Sequence, residues 1–322
     1  MDGLKKFFQA ELPVINRVLK EELENLNPLV KDVAEHVLMA GGKRMRPMLT
    51  LLVARGLGCS DRDIYPLACS LEFLHSATLI HDDILDNAEL RRGQDAAHVI
   101  FGTRSSILAG DALLALANMI VARYGLPAMN FCVAEAILRT ASGEVEEIAN
   151  LRNPEMDKAR YLDIVKGKTA FLIQAACSCG AMVAGADRYL EEQATCLGFN
   201  LGIAFQLVDD ALDYASESEL MGKPNGSDLM EGKITLPLIL YLKTLSSSRK
   251  QSLLDKIASN KMNQEEVSQV IRNIQQAGLD GKVREEAELY LHKARKCLQV
   301  FPDCLEKTLL QEMLELVKAR KF

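Results

Sequence analysis

Tryptophan is absent from this sequence of 322 residues, and aromatic residues of all kinds make up only 5% of it. Alternating apolar and polar residues rich in valine, isoleucine and threonine, which are typical of half-buried β-strands, are also hard to find. Leucine, alanine, isoleucine, methionine, glutamate and lysine dominate instead, and these residues favour helices. The composition therefore predicts an all-α protein, and 48% hydrophobic residues are ample for a large core.

An excess of positive charge is missing as well. The formal net charge is -6, and no basic patch interleaved with aromatic residues compensates for it, so we expect no binding to nucleic acid. The first 20 residues carry charges every few positions and contain no apolar core of signal-peptide length, so we expect no export. The cysteines show neither the density of a disulfide scaffold nor the paired CxxC pattern of a zinc site, which predicts a reducing cytoplasm. They are Cys59, Cys69, Cys132, Cys177, Cys179, Cys196, Cys297 and Cys304.

Long hydrophobic runs are also scarce. The stretch 169–186, TAFLIQAACSCGAMVAGA, has no charge for 18 residues and just reaches the length of a membrane span. Its glycines, glutamine and other small residues have mediocre hydropathy on the scale that predicts insertion, so we expect a buried helix and no transmembrane segment. No linker or low-complexity tract interrupts the chain, which predicts a single domain over residues 1–322.

Helical periodicity divides the chain into segments. Residues 1–40 predict two amphipathic helices broken near Asn27 and Pro28, and a further helix runs from Ile64 to an acidic cluster. Shorter, more charged helices are expected from about residue 245 onward. The long apolar segments between them are 105–123, 128–149, 157–185 and 188–215.

Two clusters of three carboxylates end otherwise apolar helices. The segment HDDILD places Asp82, Asp83 and Asp86 at i, i+1 and i+4, and FQLVDDALDY repeats this spacing. At 100° per residue the first and last carboxylates of a cluster lie about 40° apart, so all three can face one point. Unpaired charges of this kind are costly to bury, and divalent cations held by oxygen ligands are the ordinary remedy. The second cluster comprises Asp209, Asp210 and Asp213.

Cations accompany both acidic clusters. Because Mg²⁺ normally takes one or two carboxylates together with phosphate oxygens and water, the clusters predict a phosphorylated substrate, and arginine and lysine suit its diphosphate. As an alternative, adjacent cations near a surface turn often serve only solubility, and Arg44 is open to that interpretation. The candidates are Lys43, Arg44 and Arg46 in GGKRMRP, Arg91 and Arg92 after the first cluster, Lys168 in KGKTA, Lys223 in MGKP and Lys233 in EGKITLP.

In this combination and order, the motifs resemble those of the trans-isoprenyl diphosphate synthases of the polyprenyl synthetase family. The resemblance runs from about residue 25 to the C-terminus and rests on GGKRMRP, HDDILD with RRG, KGKTA, FQLVDDALDY and GKPNGSDLMEGKITLP. The segments ALDYASESELMGK and LQVFPD look most similar to the long-chain members, the octaprenyl diphosphate synthases.

The resemblance implies a single large helical bundle around a deep cavity, usually as a homodimer. It implies an enzyme that ionises an allylic diphosphate, joins the cation to isopentenyl diphosphate and repeats the cycle, as in quinone side-chain synthesis. Several Mg²⁺ ions would be held by the six aspartates, and the leaving diphosphate itself would serve as base. By motif, the allylic diphosphate would be bound by Arg91, Lys168, Lys223 and Lys233. Isopentenyl diphosphate would be bound by Gly42, Lys43, Arg46, His75 and Arg92. The carbocation would be faced by Thr169, Phe205 and Gln206, although Phe205 is also consistent with core packing.

Product length is predicted from the helix that carries the first cluster. Thr78, Ala77, Leu74 and Leu71 precede Asp82 by 4, 5, 8 and 11 positions, and one helical turn rises about 5.4 Å, roughly one isoprene unit. Short-chain relatives place a bulky aromatic residue at the position of Ala77 or Thr78, where this chain has small side chains. We therefore expect a hexaprenyl to octaprenyl product made from farnesyl diphosphate, with Leu74, Leu71 or Met119 as a lower floor.

Other products and other functions remain open. If a neighbouring helix fills the space beside Ala77, the enzyme would make geranylgeranyl or farnesyl diphosphate instead. A class I terpene cyclase would share the all-α cavity and one DDxxD, but it would need neither GGKRMRP nor a second full aspartate cluster. A non-catalytic subunit of a two-component synthase would be expected to have eroded motifs, and none is eroded here.

Overall fold

The computed structural model describes residues 2–60, 64–215 and 226–320, and helices dominate them, which confirms the prediction of an all-α protein. The first helices are α1 (Asp2–Leu23), α2 (Pro28–Met39), α3 (Met45–Gly56) and α4 (Ile64–Leu85), followed by the strands β1 (Leu90–Arg91) and β2 (Gln94–Asp95). Next come α5 (Ala97–Phe101), α6 (Thr103–Ala122), α7 (Pro127–Ala149), α8 (Lys158–Val165), a π-helical turn (Lys166–Ala170), α9 (Phe171–Val183) and α10 (Arg188–Asp213). The remaining helices are α11 (Ser227–Glu231), α12 (Leu236–Leu242), α13 (Ser247–Ala258), α14 (Gln264–Gln276), α15 (Leu279–Leu298) and α16 (Leu305–Lys318).

The chain forms two compact units. Unit 1 comprises Met1–Ile137, Leu172–Gly198 and Cys297–Met313, and unit 2 comprises Leu138–Phe171, Phe199–Lys296 and Leu314–Phe322. Each unit is thus assembled from three separate stretches of the chain. The single domain expected from the absence of linkers stays a prediction.

The helix boundaries near the N-terminus follow local rules. The break between α1 and α2 falls at the predicted position, where the Asn27 side chain accepts a hydrogen bond from the Leu29 amide and Pro28 occupies the first turn. Helix α4 is described from Ile64, directly after a gap in the described ranges, and carries the first aspartate cluster at its C-terminal end, as predicted. Local capping therefore suffices to place the break between α1 and α2.

Unit 1 is built around the contact of α4 with α6. A Cβ atom added to Gly110 on α6 would lie 2.3 Å from Nε2 of His81, so only glycine leaves room for this imidazole. The same Nε2 lies 3.1 Å from the carbonyl oxygen of Ile107. This contact secures α4 one residue before the first aspartate cluster.

Helix α9 lies in the uncharged stretch 169–186, and most of its side chains are fully buried, as predicted. In the described part of the chain, one helix is long and apolar enough to cross a membrane by length and composition alone. That helix is α6, and 44% of its most apolar window is buried.

Unit 2 contains a close backbone crossing between α7 and the π-helical turn. A Cβ atom on Gly143 would lie 2.5 Å from the backbone nitrogen of Lys168, and one on Gly167 would lie 2.7 Å from the Cα of Gly143. Both positions therefore require glycine. The crossing brings the KGKTA motif against the acidic segment that follows Gly143 on α7.

Candidate active site

Four residues predicted to bind isopentenyl diphosphate lie together in unit 1. The guanidinium of Arg92 donates to the carbonyl oxygen of Gly41, and a Cβ atom on Gly42 would lie 3.0 Å from its Nη1. Burial lowers the pKa of His75 well below its usual range, and the nearby charges of Arg46 and Arg92 lower it further. The imidazole is therefore neutral among arginines, and this surplus of positive charge suits an anion.

Burial and the crowding of positive charge also lower the pKa values of the arginines themselves. Burial lowers the pKa of Arg46 to about 10, with a contribution in the same direction from the charge of Arg92 and one in the opposite direction from Glu72. Arg46 still carries its charge at neutral pH. The exposed Lys43 lies three residues before Arg46, in the loop that leads into α3.

The first aspartate cluster lies at the end of α4. Asp83 is buried, and the Nε of Arg91 lies 2.6 Å from both of its carboxylate oxygens. Asp82 is half-buried and Asp86 is exposed. The pairing of β1 with β2 brings Arg91 back to the cluster, so a cation predicted to bind diphosphate neutralises a predicted metal ligand here.

The residues predicted to limit product length lie on the same helix. Ala77 and Leu74 are buried, and the Thr78 hydroxyl donates to the carbonyl oxygen of His75 at 2.8 Å. Met119 on α6 was expected as a floor from a facing helix, but 63% of it is exposed. That expectation is wrong, because the side chain of Met119 does not lie in the interior of unit 1.

In unit 2 a chain of hydrogen bonds links the carbocation-facing candidates to the second aspartate cluster. Thr169 Oγ1 donates to Gln206 Oε1 at 2.7 Å, and Gln206 Nε2 donates to Asp210 Oδ1 at 2.7 Å. The Tyr161 hydroxyl donates to the other carboxylate oxygen of Asp210. Burial raises the pKa of Asp210 to about 7, although both of these hydrogen bonds favour its charged form.

Each of the other two aspartates in this cluster has its own partners. Asp209 lies 2.9 Å from Nη1 of Arg320, whose guanidinium also stacks over the ring of Phe205 at 4.7 Å. Asp213 accepts from the Ser227 amide and hydroxyl at 3.1 and 3.0 Å and from the Asp228 amide at 3.2 Å. The ring of Phe205 therefore contacts the cationic side chain of Arg320. An aromatic ring can contact a carbocation in the same way.

The predicted lysines of unit 2 meet carboxylates that the sequence interpretation did not include. Lys168 Nζ lies 2.8 Å from Glu144 and also contacts Glu147. Lys233 Nζ lies 2.7 Å from Glu231 and 3.8 Å from Glu147. Both lysines are thus held in ion pairs with neighbouring carboxylates.

A cavity of about 130 Å³ in unit 2 brings these groups together. Its polar lining includes both lysines together with Tyr161, Thr169, Gln206 and Asp210. Lys223, the remaining allylic diphosphate candidate, lies outside the described residues. Within the described ranges, no three or more His, Cys, Asp or Glu side chains converge closely enough to hold a metal ion.

Several site residues escaped sequence reasoning. Burial raises the pKa of Asp228 well above its usual range, and the charge of Asp213 raises it further. Asp228 stands in the quoted motif GKPNGSDLMEGKITLP, so that motif could have signalled it. Glu144 and Glu147 follow Gly143 in SGEVEE, an acidic group that could have been matched to the KGKTA lysine. Arg320 gave no local signal, because its partner Asp209 is more than a hundred residues away.

Arg44 was open to interpretation as a solubility residue, and that interpretation is wrong. Only 4% of Arg44 is exposed, and its Nη1 lies 2.9 Å from the equally buried Glu72. A single acidic residue inside the apolar segment LACSLEFLHSA was the available signal for this pair.

The family model described as polyprenyl synthetase matches residues 27–274, which include both aspartate clusters. The chain belongs to the polyprenyl synthetase family. It is a trans-prenyltransferase, as the motifs predicted. This member is 32% identical to heptaprenyl diphosphate synthase component 2 of Bacillus subtilis, over 98% of the chain and 90% of that protein. It is also 32% identical to the octaprenyl diphosphate synthase of Escherichia coli, over 94% of each.

A solved structure has the same fold. A crystal structure of a polyprenyl synthase from Caulobacter crescentus, complexed with calcium and isoprenyl diphosphate, superimposes with a TM-score of 0.93 at 34% identity. The match covers 100% of this chain and 98% of that one. The all-α isoprenoid synthase fold expected from the sequence is therefore confirmed.

Proposed function

We propose that this prenyltransferase condenses isopentenyl diphosphate with farnesyl diphosphate, repeatedly, to give an all-trans hexaprenyl to octaprenyl diphosphate. The observation that carries the proposal is the sorting of the predicted cations into two environments. Arg46, His75 and Arg92 form a cluster of surplus positive charge in unit 1, whereas Lys168 and Lys233 line a cavity with Asp210 in unit 2. Two diphosphates of different chemistry need two such sites.

The acidic clusters fit Mg²⁺ by the chemistry of their donors. Asp82, Asp83 and Asp86 in unit 1, with Asp209, Asp210 and Asp213 in unit 2, supply the carboxylate oxygens that this ion prefers. The raised pKa of the buried Asp210 is the expected signature of a carboxylate that lacks a compensating positive charge. When bound, several Mg²⁺ ions would neutralise the charge that develops on the departing allylic diphosphate.

The chain's own residues supply the remaining functions. Arg91, Lys168, Lys223 and Lys233 bind the allylic diphosphate, and Gly42, Lys43, Arg46, His75 and Arg92 bind isopentenyl diphosphate. We assign the stabilisation of the carbocation to the oxygen dipoles of Thr169 and Gln206 and to the π face of the Phe205 ring. No protein base is assigned, because the leaving diphosphate can accept the proton.

One assay tests the reaction and the primer. The purified protein is incubated with Mg²⁺, labelled isopentenyl diphosphate and, in turn, dimethylallyl, geranyl, farnesyl and geranylgeranyl diphosphates, and the products are sized by chromatography. We expect the longest products and the highest kcat/KM with farnesyl diphosphate. Absence of any product from the protein alone would favour a two-component enzyme, an alternative supported by the name of the Bacillus subtilis relative.

The long-chain product is supported by the small, buried Ala77 on α4. Ala77→Phe places an aromatic ring about one and a half helical turns before Asp82. We expect the wild type to elongate beyond geranylgeranyl diphosphate and this variant to stop at farnesyl or geranylgeranyl diphosphate. An unchanged product distribution, or a wild type that stops at farnesyl diphosphate, would contradict the proposed wall and favour the short-chain alternative.

We propose a homodimer as the working form in a reducing cytoplasm, where the eight free cysteines would remain thiols. The second copy would cover the apolar side chains that α6 and the start of α7 expose, including Leu108 (64% exposed) and Phe131 (71% exposed). Leu108→Lys is expected to shift the protein from dimer to monomer in light scattering. A wild type that is monomeric at micromolar concentration would contradict the proposal.

A further inference from the structure

A buried ion pair lies near Arg46 and Arg92 of unit 1, which are called the arginine cluster below. Arg44 Nη1 lies 2.9 Å from Glu72 Oε1, and each residue is only 4% exposed. The other nitrogens of Arg44 also have partners, because Nη2 donates to the carbonyl oxygen of Leu38 and Nε to Asn16 Oδ1 at 3.3 Å. The guanidinium therefore joins three separate segments of the chain at one point.

The backbone of Arg44 is strained. Its φ of 48° and ψ of 43° are left-handed, and it is the residue that precedes the first turn of α3. A non-glycine residue in this region costs on the order of 1 kcal/mol, and it persists only where its surroundings fix it. The contacts of the Arg44 side chain, the ion pair with Glu72 among them, hold this residue at the point where the chain turns between Lys43 and Arg46.

Glu72 also influences the neighbouring cations. Its negative charge raises the pKa of Arg46 and of Arg92, against the effect of burial on both. Its second carboxylate oxygen is buried without a hydrogen-bond partner among the described residues, and so is Nε of Arg46. The carboxylate of Glu72 thus interacts electrostatically with Arg44, Arg46 and Arg92. Glu72 lies about one helical turn before His75 on α4.

Stability alone does not account for such a pair. Replacing a buried ion pair by apolar residues of similar volume is often neutral or stabilising, whereas removing one partner is strongly destabilising. An ion pair retained at this position is therefore better explained by what it holds in place.

We propose that Glu72 and Arg44 are positioning residues for isopentenyl diphosphate: their ion pair fixes the turn that presents Lys43 and Arg46, and Glu72 keeps the crowded arginines in place. Neither residue touches the substrate. The inference rests on the proposed function, because it deepens the assignment of this cluster to the substrate that is bound without metal.

Three variants test the proposal. Glu72→Gln keeps the shape of the side chain and removes its charge, and Arg44→Lys keeps the charge and removes the planar fork. The double variant Arg44→Met/Glu72→Leu replaces the pair by apolar side chains. Binding of isopentenyl diphosphate is measured by calorimetry without the allylic substrate, KM is measured for both substrates, and Tm is recorded for each variant.

We expect both single variants to raise the Kd and KM for isopentenyl diphosphate roughly ten- to hundredfold, a range set by small misplacements of binding groups. The KM for the allylic diphosphate should change by less than about twofold, since its proposed ligands do not include the arginine cluster. The double variant should recover most of the lost Tm but not the lost affinity. A merely structural pair would recover both.

The matched control is Arg55→Met. Arg55 lies 2.7 Å from Glu11 in another partly buried ion pair of unit 1, outside the proposed sites. It should lower Tm and leave the Kd for isopentenyl diphosphate unchanged. A double variant that regains normal affinity, or single variants that bind as the wild type does, would overturn the positioning role. If the double variant does not fold, the single variants decide between the two roles. A rise in KM for isopentenyl diphosphate without a matching rise for the allylic diphosphate supports positioning, and equal rises for both substrates contradict it.

Failure of the proposed function would look different. A wild-type protein that does not bind isopentenyl diphosphate would refute the assignment of the cluster itself. Inorganic diphosphate serves as the second probe in the same titration, and it should compete with isopentenyl diphosphate in the wild type.

Discussion

Gly143→Ala is expected to damage unit 2 although it adds only one methyl group. The new Cβ would lie 2.5 Å from the backbone nitrogen of Lys168 and 2.8 Å from the backbone of Gly167. Ordinary van der Waals contacts begin at 3.4 Å, so α7 and the π-helical turn would have to separate by roughly 1 Å. Both obstructing groups are backbone atoms, and no side-chain rotation can relieve the clash.

The magnitude follows from two opposing effects. Overpacking of a rigid contact typically costs about 1–3 kcal/mol, and the upper end applies here because backbone must move. Alanine is favoured over glycine inside a helix by about 1 kcal/mol, which offsets part of that cost. We therefore expect a net loss of about 2 kcal/mol in the free energy of unfolding, measured by urea denaturation.

The separation should also affect activity. It would move Lys168 away from Glu144 and Glu147, which now hold it at the cavity. A displacement of this size at a binding group can lower kcat/KM for the allylic diphosphate by roughly 10²-fold. Steady-state kinetics with the allylic substrate varied would measure this effect.

Gly281→Ala is the matched control. Gly281 lies in α15, and nothing lies within 4 Å of the position of an added Cβ. This variant should be about 0.5–1 kcal/mol more stable than the wild type and equally active. Opposite signs for the two substitutions would support the close crossing. A Gly143→Ala protein with wild-type stability and kinetics would refute it.

Three further predictions concern charge and metal. Because the pKa of the buried His75 is lowered, below about pH 6.5 the unfolded chain binds a proton that the native state does not. The wild type should therefore lose stability relative to His75→Gln by about 1.4 kcal/mol per pH unit on acidification. If the free energies of unfolding of the two proteins, measured in urea, changed in parallel from pH 7.5 to 5, the prediction would be contradicted. Lys43→Ala should mainly raise the KM for isopentenyl diphosphate and Lys233→Ala that for the allylic diphosphate, and equal effects on both substrates in initial-rate kinetics would show that the cations are wrongly assigned. Asp209→Ala should lower Mg²⁺-dependent kcat by at least about 10²-fold with unchanged circular dichroism, whereas undiminished wild-type turnover in metal-free buffer would exclude the metal role.

Much of the fold was predictable because its causes are local. The break at Asn27 and Pro28 follows from capping, and the apolar helix α4 follows from composition and periodicity, all of which act within a few positions. The two aspartate clusters were equally visible, because charge at the end of an apolar helix has few structural explanations. The motif order then identified the family.

The partners of those residues were not predictable in the same way. The sequence shows Lys168 but not that Glu144 and Glu147 hold it, and it shows Arg44 but not the buried Glu72 beneath it. Each of these pairs depends on where two helices cross, and that distance is set by packing at contacts such as Gly143 against Gly167. Composition and spacing along the chain predicted the family, the helices and the residues proposed to carry the chemistry. Only the tertiary structure decided which charges meet, because ion pairs and buried hydrogen bonds form between segments that no local rule connects.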